Sequence, residues 1–162
     1  MSFTTVFAQK IKKKEIDKFT GVEIVETSHE TLYTVQIIIA ANVTNMFSFK
    51  IRRVNGEYCM PASIVMNSVV KYQEDDGVQF LLDNNEVVTL KTNYTGIGAK
   101  RYENMGYLFS TSFNLSNDDV EKLKNNKVQT IRITYLGGHY DRDLKGKKQE
   151  LISKSLRLFD KL

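Results

Sequence analysis

Phe47 to Met60 reads FSFKIRRVNGEYCM, and this stretch decides the fold. Phe47, Phe49 and Ile51 alternate with Ser48, Lys50 and Arg52, the period of two that sends successive side chains to opposite faces of a strand. Asn55-Gly56 follows, the dipeptide best suited to the left-handed backbone of a type I′ turn. A two-residue loop there sets Val54 opposite Glu57, Arg53 opposite Tyr58, Arg52 opposite Cys59 and Ile51 opposite Met60. Opposed residues share a face, so Ile51 and Met60 point inward and Arg52 and Cys59 outward. Pro61 has no N–H to give a ladder, which predicts that the return strand lies at an edge or ends there.

Working upstream, Leu32 to Val43 (LYTVQIIIAANV) is rich in β-branched residues and reads as one strand through the core. Glu15 to Val25 reads as a first hairpin about Thr20-Gly21, with Lys18 opposite Glu23; a short helix over Val6 to Phe19 is the alternative. Downstream, Val69 to Tyr72 is a short strand, and Gln73 to Gly77 is its polar turn. Val78 to Leu82 and Glu86 to Lys91 flank Asp83-Asn84-Asn85, a three-residue loop that sets Phe80 opposite Val88 and Val78 opposite Leu90 with Asn85 left-handed. Thr92 to Met105 has no sustained period and is long for a connection, since most run about 4 to 6 residues.

Leu115-Ser116-x-x-Asp119-Val120 has the spacing of a helix start, with Ser116 and Asp119 as a capping box and Leu115 set to pack on Val120. The helix ends near Asn125-Asn126, and Val128 to Leu136 resumes a strand with Ile131, Ile133 and Tyr135 on one face, stopped by Gly137-Gly138. Gly138 to Asp143 reads as a polar linker. From Lys147 to Leu162 the apolar residues Leu151/Ile152, Leu158/Phe159 and Leu162 recur every three to four positions around Ser155, the stripe of an amphipathic helix laid on the sheet. Short strands joined by hairpins outnumber helical patterns, which predicts a mainly β fold: an antiparallel β-sandwich or partly open barrel with one short internal helix and a C-terminal helix.

The 162 residues, with 41% hydrophobic composition and one proline, are expected to form a single domain over 1–162 around one core. The longest apolar run, Ile37 to Ala41, is far short of the ~20 residues that span a bilayer. The opening MSFTTVFAQ lacks the pattern of a secretory leader, and Cys59 is the lone cysteine. A cytoplasmic protein without membrane partners is the expectation. Positive charge gathers at the two ends: five lysines stand against Glu15 and Asp17 over residues 10–18, and six Lys/Arg against Glu150 and Asp160 over residues 145–162.

No set of residues has metal-ligand spacing around His29 or His139, so neither metal nor cofactor is expected. Gly138-His139-Tyr140-Asp141-Arg142-Asp143 nevertheless gathers an imidazole, a phenol, two carboxylates and a guanidinium. In an enzyme, His139 would act as general acid or base and Asp141 or Asp143 would orient its ring. Cys59 gains thiolate character only from Arg52, and no turn brings a histidine to it. Gly96-Ile97-Gly98 lacks the spacing of a phosphate loop. Tyr94, Lys100, Arg101 and Tyr102, with Tyr107 beside them, interleave rings that stack bases with cations that neutralise phosphates. Lys12, Lys13, Lys14, Lys147 and Lys148 would extend such a surface if the chain ends meet.

With no reactive constellation, the leading expectation is a binding or assembly domain whose exposed edge, near Pro61 or in the first hairpin, takes a strand from another protein or a second copy. A single-stranded nucleic acid module is the second expectation, and an enzyme centred on His139 the third.

Overall fold

The computed structural model describes residues 9–37, 42–92, 96–97, 99–100 and 106–162, and for 36–37, 42–44, 97 and 99–100 the backbone alone. In chain order the strands are β1 (Ile11–Ile16), β2 (Glu23–Thr27), β3 (Glu30–Ile37), β4 (Asn42–Phe49), β5 (Arg52–Val54), β6 (Glu57–Met66), β7 (Lys71–Tyr72), β8 (Gly77–Leu82), β9 (Val87–Lys91), β10 (Gly96–Ile97), β11 (Ala99–Lys100) and β12 (Tyr107–Leu115). Helix α1 (Asn117–Asn125) precedes β13 (Val128–Tyr135) and β14 (Gly138–Asp143), and α2 (Leu151–Arg157) closes the chain between two 3-10 turns. The fold is mainly β and its pairings are antiparallel, as expected.

The large sheet runs β1-β2-β5-β6-β12-β11; β4 pairs with β6 as well, and β3 lies outside β4. A four-stranded sheet runs β14-β13-β8-β9, and β10 pairs with β7 in a ribbon. The two larger sheets face each other through apolar side chains, with Phe47 meeting Phe80 edge to face at 6.2 Å, and Tyr72 of the β7 ribbon stacks on Phe109 of β12 at 3.9 Å. Ile51, Met60, Ile64, Phe113, Leu123, Ile131 and Ile133 are all wholly buried in the same cluster. At one flank, Thr92 at the end of β9 meets Thr111 of β12 through their hydroxyls at 2.9 Å. At the other, β14 and β3 form no ladder with each other, and the architecture remains open.

The Asn55-Gly56 hairpin has the predicted register, and both residues are left-handed at φ +48° and +88°. The Asp83-Asn84-Asn85 hairpin also pairs Phe80 with Val88 and Val78 with Leu90, with Asn85 at φ +66°. At α1, Asp119 N–H donates to Ser116 Oγ at 3.1 Å and Ser116 N–H to Asp119 Oδ2 at 2.9 Å, closing the capping box.

Other expectations are corrected. Pro61 does not mark an edge: β6 runs through it between β4 and β5 on one side and β12 on the other. Lys50 N–H donates to the Pro61 carbonyl at 3.1 Å, and the missing return bond falls at residues 50–51, where β4 has ended and β5 has not begun. On the opposite side of the chain Thr27 extends the β2–β5 pairing, donating its N–H to the Ile51 carbonyl and accepting from Ile51 N–H at its hydroxyl. Leu32 to Val43 is not one strand; Ile37 pairs with Asn42, so the run is shared by β3 and β4 with a reversal inside it. An unbroken apolar run without Gly or Pro gives no sign of a strand boundary.

The first hairpin begins at Ile11, and strand excludes the helical alternative from there on. It pairs Ile16 with Glu23 rather than Lys18 with Glu23. Asp17 explains the shift: its Oδ1 accepts from the N–H groups of Phe19 and Thr20 and its carbonyl from Gly21 N–H, which winds up a four-residue loop. Gly138 to Asp143 is a strand, not a linker, because Leu136-Gly137 makes a tight hairpin with Gly137 at φ +85°. The C-terminal helix is broken into α2 and its flanking 3-10 turns; Ile152, Leu156 and Phe159 carry its buried stripe, while Leu162 is exposed. Within Thr92 to Met105, the short strands β10 and β11 dock on β7 and β12.

Candidate functional site

The open flank holds a cleft of about 570 Å³. Leu32, Tyr33 and Thr34 of β3 line one wall, and Asp141 to Asp143 of β14, with Lys145 and Lys148 beyond, line the other. Both strands border it as outermost members of their sheets: among the described residues β3 pairs with β4 alone and β14 with β13 alone. The cleft is where the two sheets fail to join.

Register sorts the side chains of β14. Asp141 lies opposite Arg132 and Asp143 opposite Thr130, whereas Tyr140 lies opposite Ile133 and Arg142 opposite Ile131. Ile131 and Ile133 are buried in the core, so Tyr140 and Arg142 share the inward face and the two aspartates the outward one. The outward acids are engaged. Arg132 donates two hydrogen bonds to Asp141, at 2.7 and 2.6 Å, and these hold its carboxyl below the usual carboxylate range. Thr130 donates its hydroxyl to Asp143 at 2.8 Å.

On the inward face the Tyr140 ring meets the Tyr33 ring of β3 at 6.0 Å. Tyr33 is 6% exposed, and its hydroxyl has no hydrogen-bond partner. Burial pushes its pKa upward, reinforced by Tyr140 and Tyr72, and the Arg142 charge opposes them. Arg142 is exposed, and among the described residues its side chain makes no hydrogen bond or ion pair. Lys148 donates its Nζ to the Thr31 carbonyl on the free side of β3. Leu144 is buried at the base, its N–H held by the Gln129 carbonyl at 2.8 Å.

His139, Asp141 and Asp143 are thus neighbours on one edge strand. His139 Nε2 stands 3.9 Å from Asp141 Oδ2, its side chain is 54% exposed, and Arg132 already holds that carboxylate. Among the described residues no group of three or more His, Cys, Asp or Glu could hold a metal ion. Cys59 does sit opposite Arg52, but the guanidinium is turned to Glu26.

The two basic ends do meet. Gln9 donates its side-chain amide to the Leu151 carbonyl at 2.8 Å and to Ser155 Oγ at 3.2 Å, and Ser28 N–H donates to the Lys10 carbonyl. Lys12, Lys13 and Lys14 then lead away along β1, an exposed outermost strand, where Lys13 is paired with Glu15 at 2.6 Å. Lys147 and Lys148 lie on the 3-10 turn before α2. Tyr94, Arg101 and Tyr102 lie outside the described residues, and of Lys100 only the backbone, opposite Tyr107, is described.

Sequence reading passed over Tyr33, Arg142 and Lys145 as a cluster. The signal was the Leu136-Gly137 pair: taken as a two-residue loop it sets Arg142 opposite Ile131 and turns a supposed linker charge inward. No sequence pattern places β3 beside β14. Among the described residues no helix is long and apolar enough to cross a membrane. Comparison of the chain with protein-family models, curated proteins and solved structures gives no match.

Proposed function

We propose that this chain is a protein-binding domain that receives an extended segment of another protein in the cleft between β3 and β14. One observation carries the reading: the β3 and β14 segments that border the same cleft, residues 32–34 and 141–143, have among the described residues no ladder partner on the cleft side. An edge strand offers a row of backbone N–H and C=O groups, and an added strand gains affinity from those bonds and specificity from its alternating side chains. Here one segment meets two edges. The Lys148 bond to the Thr31 carbonyl caps part of the β3 edge and is given up when a strand binds. The expected edge at Pro61 is absent, since β6 is central, so the open flank takes its place in this reading.

The test is selection of a random dodecapeptide display library on the immobilised protein, followed by hydrogen exchange with the selected peptides bound. Slowed exchange confined to residues 31–34 and 139–144 is the expected result. Peptides that protect other strands, or a selection that yields none above background, overturn the proposal. Sedimentation equilibrium distinguishes a second copy as the occupant.

A second reading rests on the contact of Gln9 with Leu151 and Ser155, which joins the two basic ends. Such a surface suits a single-stranded nucleic acid, with Lys12, Lys13, Lys14, Lys147 and Lys148 on phosphates and the 94–102 segment on bases. Labelled DNA and RNA oligonucleotides should then bind at low salt and dissociate steeply as salt rises. No shift at low salt removes this reading.

A further inference from the structure

We infer that the segment taken up between β3 and β14 is acidic, its carboxylates meeting Arg142, Lys145 and Lys148; this rests on the protein-binding reading above. The cleft contains both signs of charge, but register separates them. Asp141 and Asp143 face outward and are held by Arg132 and Thr130, so neither competes for the cations of the cleft. Arg142 instead projects from the face whose neighbouring positions on β13 are Ile131 and Ile133, both wholly buried. A guanidinium at such a position, without an anion among the described residues, is a donor fork suited to a carboxylate. Lys145 and Lys148 on the following segment add two more cations to the same cleft.

Tyr33 makes the second, independent observation. Tyr33 lines the same wall and its hydroxyl is buried with no partner, although buried polar groups are nearly always hydrogen-bonded. A bound segment that brings an acceptor to this hydroxyl satisfies it. An inward-pointing charge also protects an edge from unwanted pairing, and that simpler role for Arg142 makes opposite predictions in the same experiment.

The experiment uses three decapeptides, alternating Glu with Val, Gln with Val and Lys with Val, titrated by calorimetry into the full chain and its R142Q and R142E variants. The Glu peptide should bind at least about tenfold more tightly than the Gln peptide, the loss expected for a charge-assisted hydrogen bond. R142Q should weaken the Glu peptide to a similar degree, and R142E should reverse the preference in favour of the Lys peptide. Circular dichroism identifies any variant that has lost its fold, and R142Q supplies the result if R142E has. Equal binding of Glu and Gln peptides, or no binding of the Glu peptide, overturns the acidic preference. If display-selected neutral peptides still protect β3 and β14, the protein-binding reading survives that failure; if selected peptides leave both strands unprotected, that reading falls too. An edge-protection role predicts that R142Q aggregates while peptide affinity is unchanged.

Discussion

Glu26 of β2 lies directly opposite Arg52 of β5, and its largely buried carboxylate is shared between the Arg52 guanidinium and Lys50 Nζ, the latter at 2.9 Å. This three-residue cluster stands beside the junction of β4 and β5, where Pro61 leaves the ladder one bond short. Removing the anion strands two cations, but Lys50 and Arg52 are 27% and 38% exposed and regain water in part. Glu26→Gln should therefore cost about 1–3 kcal/mol, less than a fully buried pair, read from the urea midpoint at pH 7.

The same carboxylate gives the protein a defined acid sensitivity. Burial acts to raise the Glu26 pKa, but hydrogen bonds and charges from Lys50 and Arg52 outweigh it, and the net shift is downward. A group depressed on folding contributes stability above its unfolded value and loses it as pH falls through the folded one. The stability gap between wild type and Glu26→Gln should be full at pH 7 and narrow steadily below about pH 4.5. A gap that is constant down to pH 2 would show that the cluster does not titrate as a charge pair.

Two glycines should respond differently to alanine. A Cβ at Gly77 would lie 2.1 Å from the Leu90 carbonyl oxygen, which forces β8 and β9 apart, so Gly77→Ala should cost about 2–3 kcal/mol. At Gly56 nothing lies within 4 Å, and only its left-handed φ of +88° is strained by a side chain. Gly56→Ala should cost about 1 kcal/mol, and thermal melts of the two variants would test the order.

Tyr72 and Tyr33 each bury a hydroxyl without a partner. Removing such a group while keeping the ring should stabilise the fold, by up to about 1 kcal/mol. Tyr72→Phe and Tyr33→Phe are both expected to melt higher than wild type. For Tyr33→Phe the gain should come with weaker binding of a cleft peptide, whereas Tyr72→Phe should leave affinity unchanged. Loss of stability in either variant would mean that the hydroxyl is satisfied.

Ser116→Ala removes the hydroxyl that accepts from Asp119 N–H at the start of α1. A loss of about 1 kcal/mol is expected, and an added glutamate at that position should not restore it.

The elements that were legible in the sequence share a local cause. Asn55-Gly56 and Asn85 carry their backbone preference within two or three residues, and register then follows from counting outward. Ser116 and Asp119 likewise satisfy each other across three positions. The errors came where one residue type obeyed a longer-range demand. Pro61 has the same missing donor anywhere, yet it is accommodated in a central strand because the strand change at residues 50–51 falls opposite it. Asp17 looked like an ordinary strand residue, but its carboxylate captured two amides and moved the hairpin register by two. A shift of two preserves which side chains share a face, so the pattern of apolar residues gave no warning.

By itself the sequence determined the mainly antiparallel class, two hairpin registers, the α1 cap and the buried alternation of Phe47, Phe49 and Ile51, because each depends on dihedral preference or periodicity over a few residues. Tertiary structure alone decided that β3 and β14 border one cleft, that Gln9 reaches Ser155, and that Arg142 faces inward beside an unpartnered Tyr33 hydroxyl. Those juxtapositions join residues more than a hundred positions apart. They arise from how two sheets close on a shared core at one flank and stay apart at the other, and no local preference of the chain encodes that choice.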